Sequence, residues 1–210
     1  MTCPINRYSY ALSNVIQPFS KEFCALQPKS AQARKLVQEL VQEKKKNQIC
    51  PPVYVRSDIL QGKGMASSSA DISVTAMATA LAMDYDLSLK ELEQICLSVE
   101  PTDASFYQGV TQFDYIKGTI SKPLGMCPPL KILVFDEGGS IDTVSFNKQA
   151  DLQNKILEKE SIIQESFDLF KQGLTTHDIK LIGQAATLSA FGNQRILYKP
   201  NLYDLSLIHI

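Results

Sequence analysis

Apolar residues change their spacing several times along the chain, and each change predicts an element. Over 8–15 they alternate loosely, with Tyr8, Tyr10 and Leu12 on one parity, which predicts a strand that Pro18 ends. Over 30–43 the period lengthens: Ala33, Leu36, Val37, Leu40 and Val41 return at three- and four-residue intervals behind Pro28, the pattern of an amphipathic helix. Pro51 and Pro52 then lead into a short extended run at 53–55. From 72 to 82 the chain is rich in alanine, leucine and methionine, which predicts a tightly packed helix. Another helix is expected over 89–99, with Ser88 at its start, Glu91 three residues on to complete a capping box, and Pro101 to stop it.

The texture then changes. Strand-like pieces at 110–116 and 119–121 flank a Lys117-Gly118 turn, and 130–135 is the strongest β run, closed by Gly138 and Gly139. Beyond it a long helix is predicted over 151–170, broken by Gly173, and a further one over 177–190 with Thr175 or Thr176 as its cap. Residues 205–210 follow a Pro200-Asn201 turn without an assigned element. These textures divide the chain into an expected first domain at 1–127 and a second at 128–210, of mixed helices and strands.

Composition removes several function classes. A chain of 210 residues with 44% apolar residues buries a sizeable core, and 21 basic against 22 acidic residues leave a formal charge of −1. No global positive field recommends a nucleic-acid partner. The densest basic run, Lys44, Lys45 and Lys46, reads as the solvated end of a helix, where cations suit the dipole. Cys3, Cys24, Cys50, Cys96 and Cys127 are scattered and form no CxxC pair, so a reducing, cytoplasmic setting is expected rather than a disulfide framework or zinc site. No apolar run is long enough to suggest a membrane partner.

Candidate chemistry concentrates at 62–71, where an extended run enters Gly62, Lys63, Gly64, Met65, Ala66, Ser67, Ser68, Ser69, Ala70 and Asp71 before a helix. A strand, a glycine-rich turn and a helix start make an anion pocket: the glycines admit close backbone approach and the first N–H groups of the helix point into the gap. Three serines add donors and Lys63 a point charge suited to phosphate. The plain alternative, Ser67 capping a close-packed helix, leaves the glycines, Lys63 and two serines unexplained. The spacing is neither a P-loop, since Gly64 follows Lys63, nor a GxGxxG dinucleotide turn.

These residues resemble the second motif of the GHMP kinases, approximately P-x-x-x-G-L-G-S-S-A, with Met65 for leucine, Ala66 for glycine and Ser69 for alanine. The phrases Thr2-Cys3-Pro4-Ile5-Asn6-Arg7-Tyr8-Ser9, Gly62 through Asp71, and Glu100-Pro101-Thr102-Asp103 are similar to the subfamily of L-threonine kinases of cobalamin synthesis and propanediol utilization. The resemblance implies an α+β fold, a ribosomal-protein-S5-like N-terminal domain followed by a partial ferredoxin-like one, with ATP and acceptor meeting between them. It implies ATP and Mg2+ as cofactors, 62–69 as the nucleotide-binding loop, Ser68 as a magnesium ligand, and L-threonine, made into L-threonine O-3-phosphate, as the small-molecule alcohol substrate. It also implies further motifs before Cys3 and near the C-terminus, so a chain shortened at both ends is expected, with 206–210 not native; a homodimer stays open.

Glu100 and Asp103 flank Pro101 and Thr102 where a helix is expected to end. Their chemistry allows proton acceptance by Asp103, as base or hydroxyl-orienting group beside Lys63, and metal coordination by Glu100. An ordinary exposed turn is the plain alternative, and because the family's magnesium glutamate lies farther from its aspartate, Glu91 and Glu93 stay open too. Asn193 and Gln194, and Arg7 and Tyr8, are lesser candidates for facing substrate. Two other functions remain: a GHMP kinase acting on homoserine, a sugar or an isoprenoid alcohol, and a non-catalytic homologue that senses a nucleotide or metabolite.

Overall fold

The computed structural model describes residues 5–15, 21–46, 48–132, 136, 138–139 and 150–206. It separates into two compact units, Met1–Pro123 and Leu124–Ile210.

The first unit is a small antiparallel sheet backed by helices. Strand β1 (Ser9–Ser13) and β2 (Cys24–Ala25) pair with the two edges of β3 (Val53–Ser57), so the sheet order is β1-β3-β2. The register sets Ser9 opposite Ser57, Tyr10 opposite Arg56 and Ala11 opposite Val55. Period-two alternation then gives the sheet two unlike faces: Ser9, Ala11, Val55 and Ser57 share one, and Tyr10 and Arg56 the other, where the guanidinium lies 4.3 Å from the ring centroid. β2 is too short to show a period, which is why sequence patterning missed it.

Helices α1 (Pro28–Lys44), α2 (Ser67–Ala82) and α3 (Leu89–Val99) pack on one another. Pro28 lies in the first turn of α1 rather than ahead of it, where its missing N–H costs nothing. Ala33, Val37 and Val41 of α1, Ile72, Ala76 and Ala80 of α2, and Leu92, Ile95 and Cys96 of α3 form one buried cluster. α2 is buried on a second stripe as well: Asp71, Thr75 and Thr79 recur every four residues, and Asp71 is bonded to Ser9 of β1. Each threonine hydroxyl is satisfied along the helix, Thr75 donating to the Asp71 carbonyl and Thr79 to the Thr75 carbonyl, both at 2.7 Å.

α3 starts as the sequence predicts. Ser88 Oγ accepts the Glu91 N–H, and the Glu91 carboxylate accepts the Ser88 N–H at 2.9 Å. Glu91 also pairs with Lys44 at 2.7 Å, so the basic run does close a helix end, with Lys45 beside Asp84. After α3, β4 (Val110–Phe113) pairs with β5 (Ser121–Gly125). The second strand was expected at 119–121; instead the Asp114 carboxylate accepts the Lys117 and Thr119 N–H groups and holds 114–119 as the turn. Cys24, Cys50, Cys96 and Cys127 form no disulfide among the described residues, and burial pushes the Cys96 thiol up to about 12.

In the second unit the described elements are α4 (Leu152–Glu158), α5 (Glu160–Thr176), α6 (Ile179–Asn193) and α7 (Leu202–Ser206). Of the β run expected at 130–135, residues 130–132 are not in a strand and 133–135 lie outside the described residues. The single helix expected over 151–170 is two, interrupted at Lys159, whose ammonium donates to Asn193 Oδ1 at 2.6 Å. Gly173 does not break α5. It lies inside the helix because a side chain there would meet Ile182 Cγ1 at 2.8 Å and the Ile182 backbone nitrogen at 3.0 Å, so the glycine sets how closely α5 and α6 approach. The helix ends at His177, left-handed at φ 56°, and α6 is capped by Asp178 accepting from the Lys180 and Leu181 N–H groups, not by Thr175 or Thr176. Among the described residues no helix is long and apolar enough to cross a membrane.

Two stability predictions follow from this packing. Gly173→Ala should gain about 1 kcal/mol of helix propensity but lose about 1–3 kcal/mol to overpacking against backbone, so denaturant unfolding should show a net loss; a net gain would mean the helices can separate freely. Glu91, held down to about 2 first by Lys44 and then by Tyr85 and Ser88, starts from an ordinary value of 4.5. Its folded value is depressed, so its contribution is complete above about 4.5 and fades as pH falls toward about 2. Glu91→Gln should therefore flatten the acid limb of a stability-versus-pH curve.

Candidate functional site

Between β3 and α2 the backbone alternates in handedness. Gly62 and Gly64 have φ of 70° and Ala66 has 57°, while Lys63 and Met65 between them do not have positive φ. Such alternation turns successive N–H groups into one concavity, the backbone's own anion receptor. At Gly64 an added side chain would meet open space, so glycine is favoured there by φ and not by crowding.

The concavity opens onto the start of α2. Its N-cap is Ala66, with no side-chain cap, so Ser67 does not cap the helix as the plain alternative had it. Among the described residues no side chain caps the first N–H groups of α2, which lie at the positive end of a 16-residue helix and can take a ligand or water. The three serines then divide. Ser67 and Ser69 are buried, whereas Ser68 is half-buried and its hydroxyl has no partner among the described residues. Lys63 is half-buried at the loop.

Ser69 joins the loop to the carboxylate segment: its hydroxyl accepts the Asp103 N–H at 3.0 Å. Thr102 is fully buried, and its N–H donates to the Tyr115 carbonyl at 2.9 Å, so the residue before Asp103 is fixed against the chain after β4. Asp103 itself faces solvent on one side, yet surrounding protein mass raises its carboxyl above the ordinary range, with Glu100 adding repulsion.

The glutamates are differently occupied. Glu100 closes α3 and forms an ion pair with Lys29 of α1. Glu91 belongs to the capping box. Glu93 is buried at 1% exposure; burial opposes its ionisation, but Lys90 and a 2.5 Å hydrogen bond from the Tyr107 hydroxyl outweigh it and hold the carboxyl below its usual value. Among the described residues no three His, Cys, Asp or Glu side chains converge as a metal cluster. The donor set fits a magnesium ion that takes its oxygens chiefly from phosphate and water, with the unpartnered Ser68 hydroxyl as a protein ligand; Glu100, paired with Lys29, does not fit as it stands.

Asn193 accepts from Lys159, and Gln194 both accepts from and donates to the Lys199 backbone, so both build the second unit. Tyr8 is exposed and holds the strand end, its carbonyl accepting the Asp58 N–H.

Asp71 closes the same segment. Asp71 is 8% exposed and accepts a 2.6 Å hydrogen bond from Ser9 Oγ, which lies 2.9 Å from the Ser57 hydroxyl. Burial raises its carboxyl despite Ser9 and Ser57. Asp71, Thr75 and Thr79 at four-residue spacing were the available signal: a polar stripe along an otherwise apolar helix.

The left-handed Ala66 supplies a test of the loop. Left-handed backbone costs a non-glycine residue about 1–2 kcal/mol, while glycine adds about 0.4–1 kcal/mol of unfolded-state entropy. Ala66→Gly should therefore stabilise the chain by about 0.5–1 kcal/mol in denaturant unfolding, and destabilisation would contradict the loop conformation.

Comparison with known proteins supports a relationship on this same segment. Residues 31–109, which span α1 through α3 and the Asp103 turn, match the model of the GHMP kinases N terminal domain. The chain is 33% identical over 169 residues to the L-threonine kinase of Salmonella typhimurium strain LT2, covering 75% of this chain and 56% of that protein. It is 30% identical over 153 residues to the L-threonine kinase of Citrobacter freundii, covering 73% and 53%. The chain thus spans about half the length of the curated relatives it matches. The α+β fold is consistent with the GHMP kinase superfamily, and the matched domain is centred on the glycine loop.

Proposed function

We propose that this chain is an ATP-dependent small-molecule kinase whose acceptor is the hydroxyl of L-threonine, giving L-threonine O-3-phosphate for cobalamin synthesis. The observation that carries the phosphate-binding part is the uncapped start of α2 behind a loop of alternating handedness. The threonine acceptor is supported by the two related L-threonine kinases. In this reading the first unit is the S5-like domain, and the second is part of a ferredoxin-like one.

The N–H groups of 62–68 hold the phosphate oxygens, and Lys63 sets a positive charge beside them. When bound, Mg2+ supplies charge neutralisation at the phosphate oxygens, with Ser68 as its protein ligand. The acceptor oxygen attacks the γ-phosphorus in line as the bond from that phosphorus to the ADP oxygen breaks. Asp103 accepts the hydroxyl proton, and its raised carboxyl suits that task better than an ordinary surface aspartate would. The Ser69 hydroxyl, by fixing the Asp103 backbone, couples the base to the phosphate loop.

ADP release with L-threonine, L-serine, L-homoserine, mevalonate and galactose tests this reading. Selective turnover with L-threonine is expected. Asp103→Asn should lower kcat by roughly 100-fold or more while ATP affinity holds, the range of general acid–base catalysis. Unchanged turnover would remove Asp103 from the chemistry, and ATP binding without transfer to any alcohol would overturn the kinase reading.

A further inference from the structure

A cavity of about 520 Å3 lies in the first unit beside the loop, a volume in the range of small-metabolite sites. Gln61 and Asp71, which bracket the loop, both line it, so its contents lie next to the phosphate concavity. Its charged walls are Glu22, Asp58 and Asp71 against one guanidinium, Arg56.

That guanidinium is already engaged. Arg56 pairs with Glu22 at 2.9 Å and approaches Asp58 at 3.9 Å, and it stacks on the Tyr10 and Phe23 rings. Asp71 differs from the other two acids. It is nine-tenths buried, its hydrogen bonds come only from neutral hydroxyls, and no cation pairs with it among the described residues. A buried carboxylate without a countercharge is expensive, and hydroxyl donors offset only part of that cost. The wall as a whole carries more negative than positive charge, which disfavours phosphate there and favours a cation.

We propose that this cavity is the acceptor's recognition pocket and that Asp71 binds the acceptor's ammonium group, making Asp71 the residue that selects amino alcohols over sugars and isoprenoid alcohols. The inference rests on the kinase reading above and adds to it the group by which the acceptor is recognised. Ser9 and Ser57 position the carboxylate from two strands at once, so the ammonium would meet a fixed partner. Asp103 is not part of the cavity wall, which leaves recognition and proton transfer to separate carboxylates.

The test is equilibrium binding to the 210-residue chain by calorimetry, with no turnover required. L-threonine is compared with 3-hydroxybutyrate, which keeps the hydroxyl and carboxylate but lacks the ammonium. The wild-type chain should bind L-threonine at least roughly tenfold more tightly, since a site built around a buried charged partner rejects the analogue that leaves it unpaired. Asp71→Asn should abolish that preference while ATP affinity stays within about twofold of wild type. The wild-type comparison stands even if the variant fails to fold. Equal affinity for the two acceptors, retention of the preference in Asp71→Asn, or a loss of ATP rather than acceptor binding would overturn the assignment. Tighter binding of L-serine or L-homoserine than of L-threonine, with the advantage of each over its ammonium-free analogue lost in Asp71→Asn, would reject the threonine acceptor yet support the ammonium pocket. Selective phosphorylation of L-threonine by the wild-type chain, with the ammonium preference retained in Asp71→Asn, would do the reverse.

Discussion

Everything proposed for this chain depends on the burial of α2 along two stripes at once. Ile72, Ala76 and Ala80 are packed among the other helices, and Asp71, Thr75 and Thr79 form a second buried stripe that Asp71 ties to β1 through Ser9. Neither stripe alone would fix the helix about its own axis. Together they set the direction of its first turn, and that turn is where the orphan N–H groups lie. Small residues make this geometry accessible: alanine, serine and threonine on α2 let its neighbours approach on both sides without large side chains to accommodate. The polar stripe is tolerated because each hydroxyl finds a carbonyl one turn back and Asp71 finds two serines.

The loop ahead of α2 breaks the local rules that the rest of the first unit obeys. α3 starts with a complete capping box, and α1 with a proline in its first turn. α2 starts with a left-handed alanine and no side-chain cap. A helix buried this thoroughly tolerates an unsatisfied start, and an unsatisfied start is what an anion requires. The conflict between local preference and global fold therefore falls at the segment expected to carry the chemistry, as strain tends to.

Periodicity revealed the helices of the first unit because their buried faces are long and apolar; α3 agrees with the sequence expectation at both ends. It failed where one or two residues decide. β2 is two residues long, and the turn at 114–119 is organised by a single carboxylate, Asp114. Gly173 reads as a helix breaker in isolation, and only the neighbouring Ile182 explains why it sits inside one. At the site, glycine and serine spacing located the loop, and the separate phrase at Glu100 through Asp103 pointed to a second segment. Their junction through Ser69 spans 34 residues and was invisible. So were the pairing of Glu100 with Lys29 and the buried setting of Asp71, since both depend on partners distant in sequence.

The central claim is that phosphate is held by backbone N–H groups between Gly62 and Ser68. Backbone amide chemical shifts, followed by NMR while MgATP is titrated into the chain, test it directly. The account predicts saturable changes largest at Gly64 through Ser68, reproduced in part by inorganic triphosphate. Saturable binding that leaves those amides unmoved would contradict it.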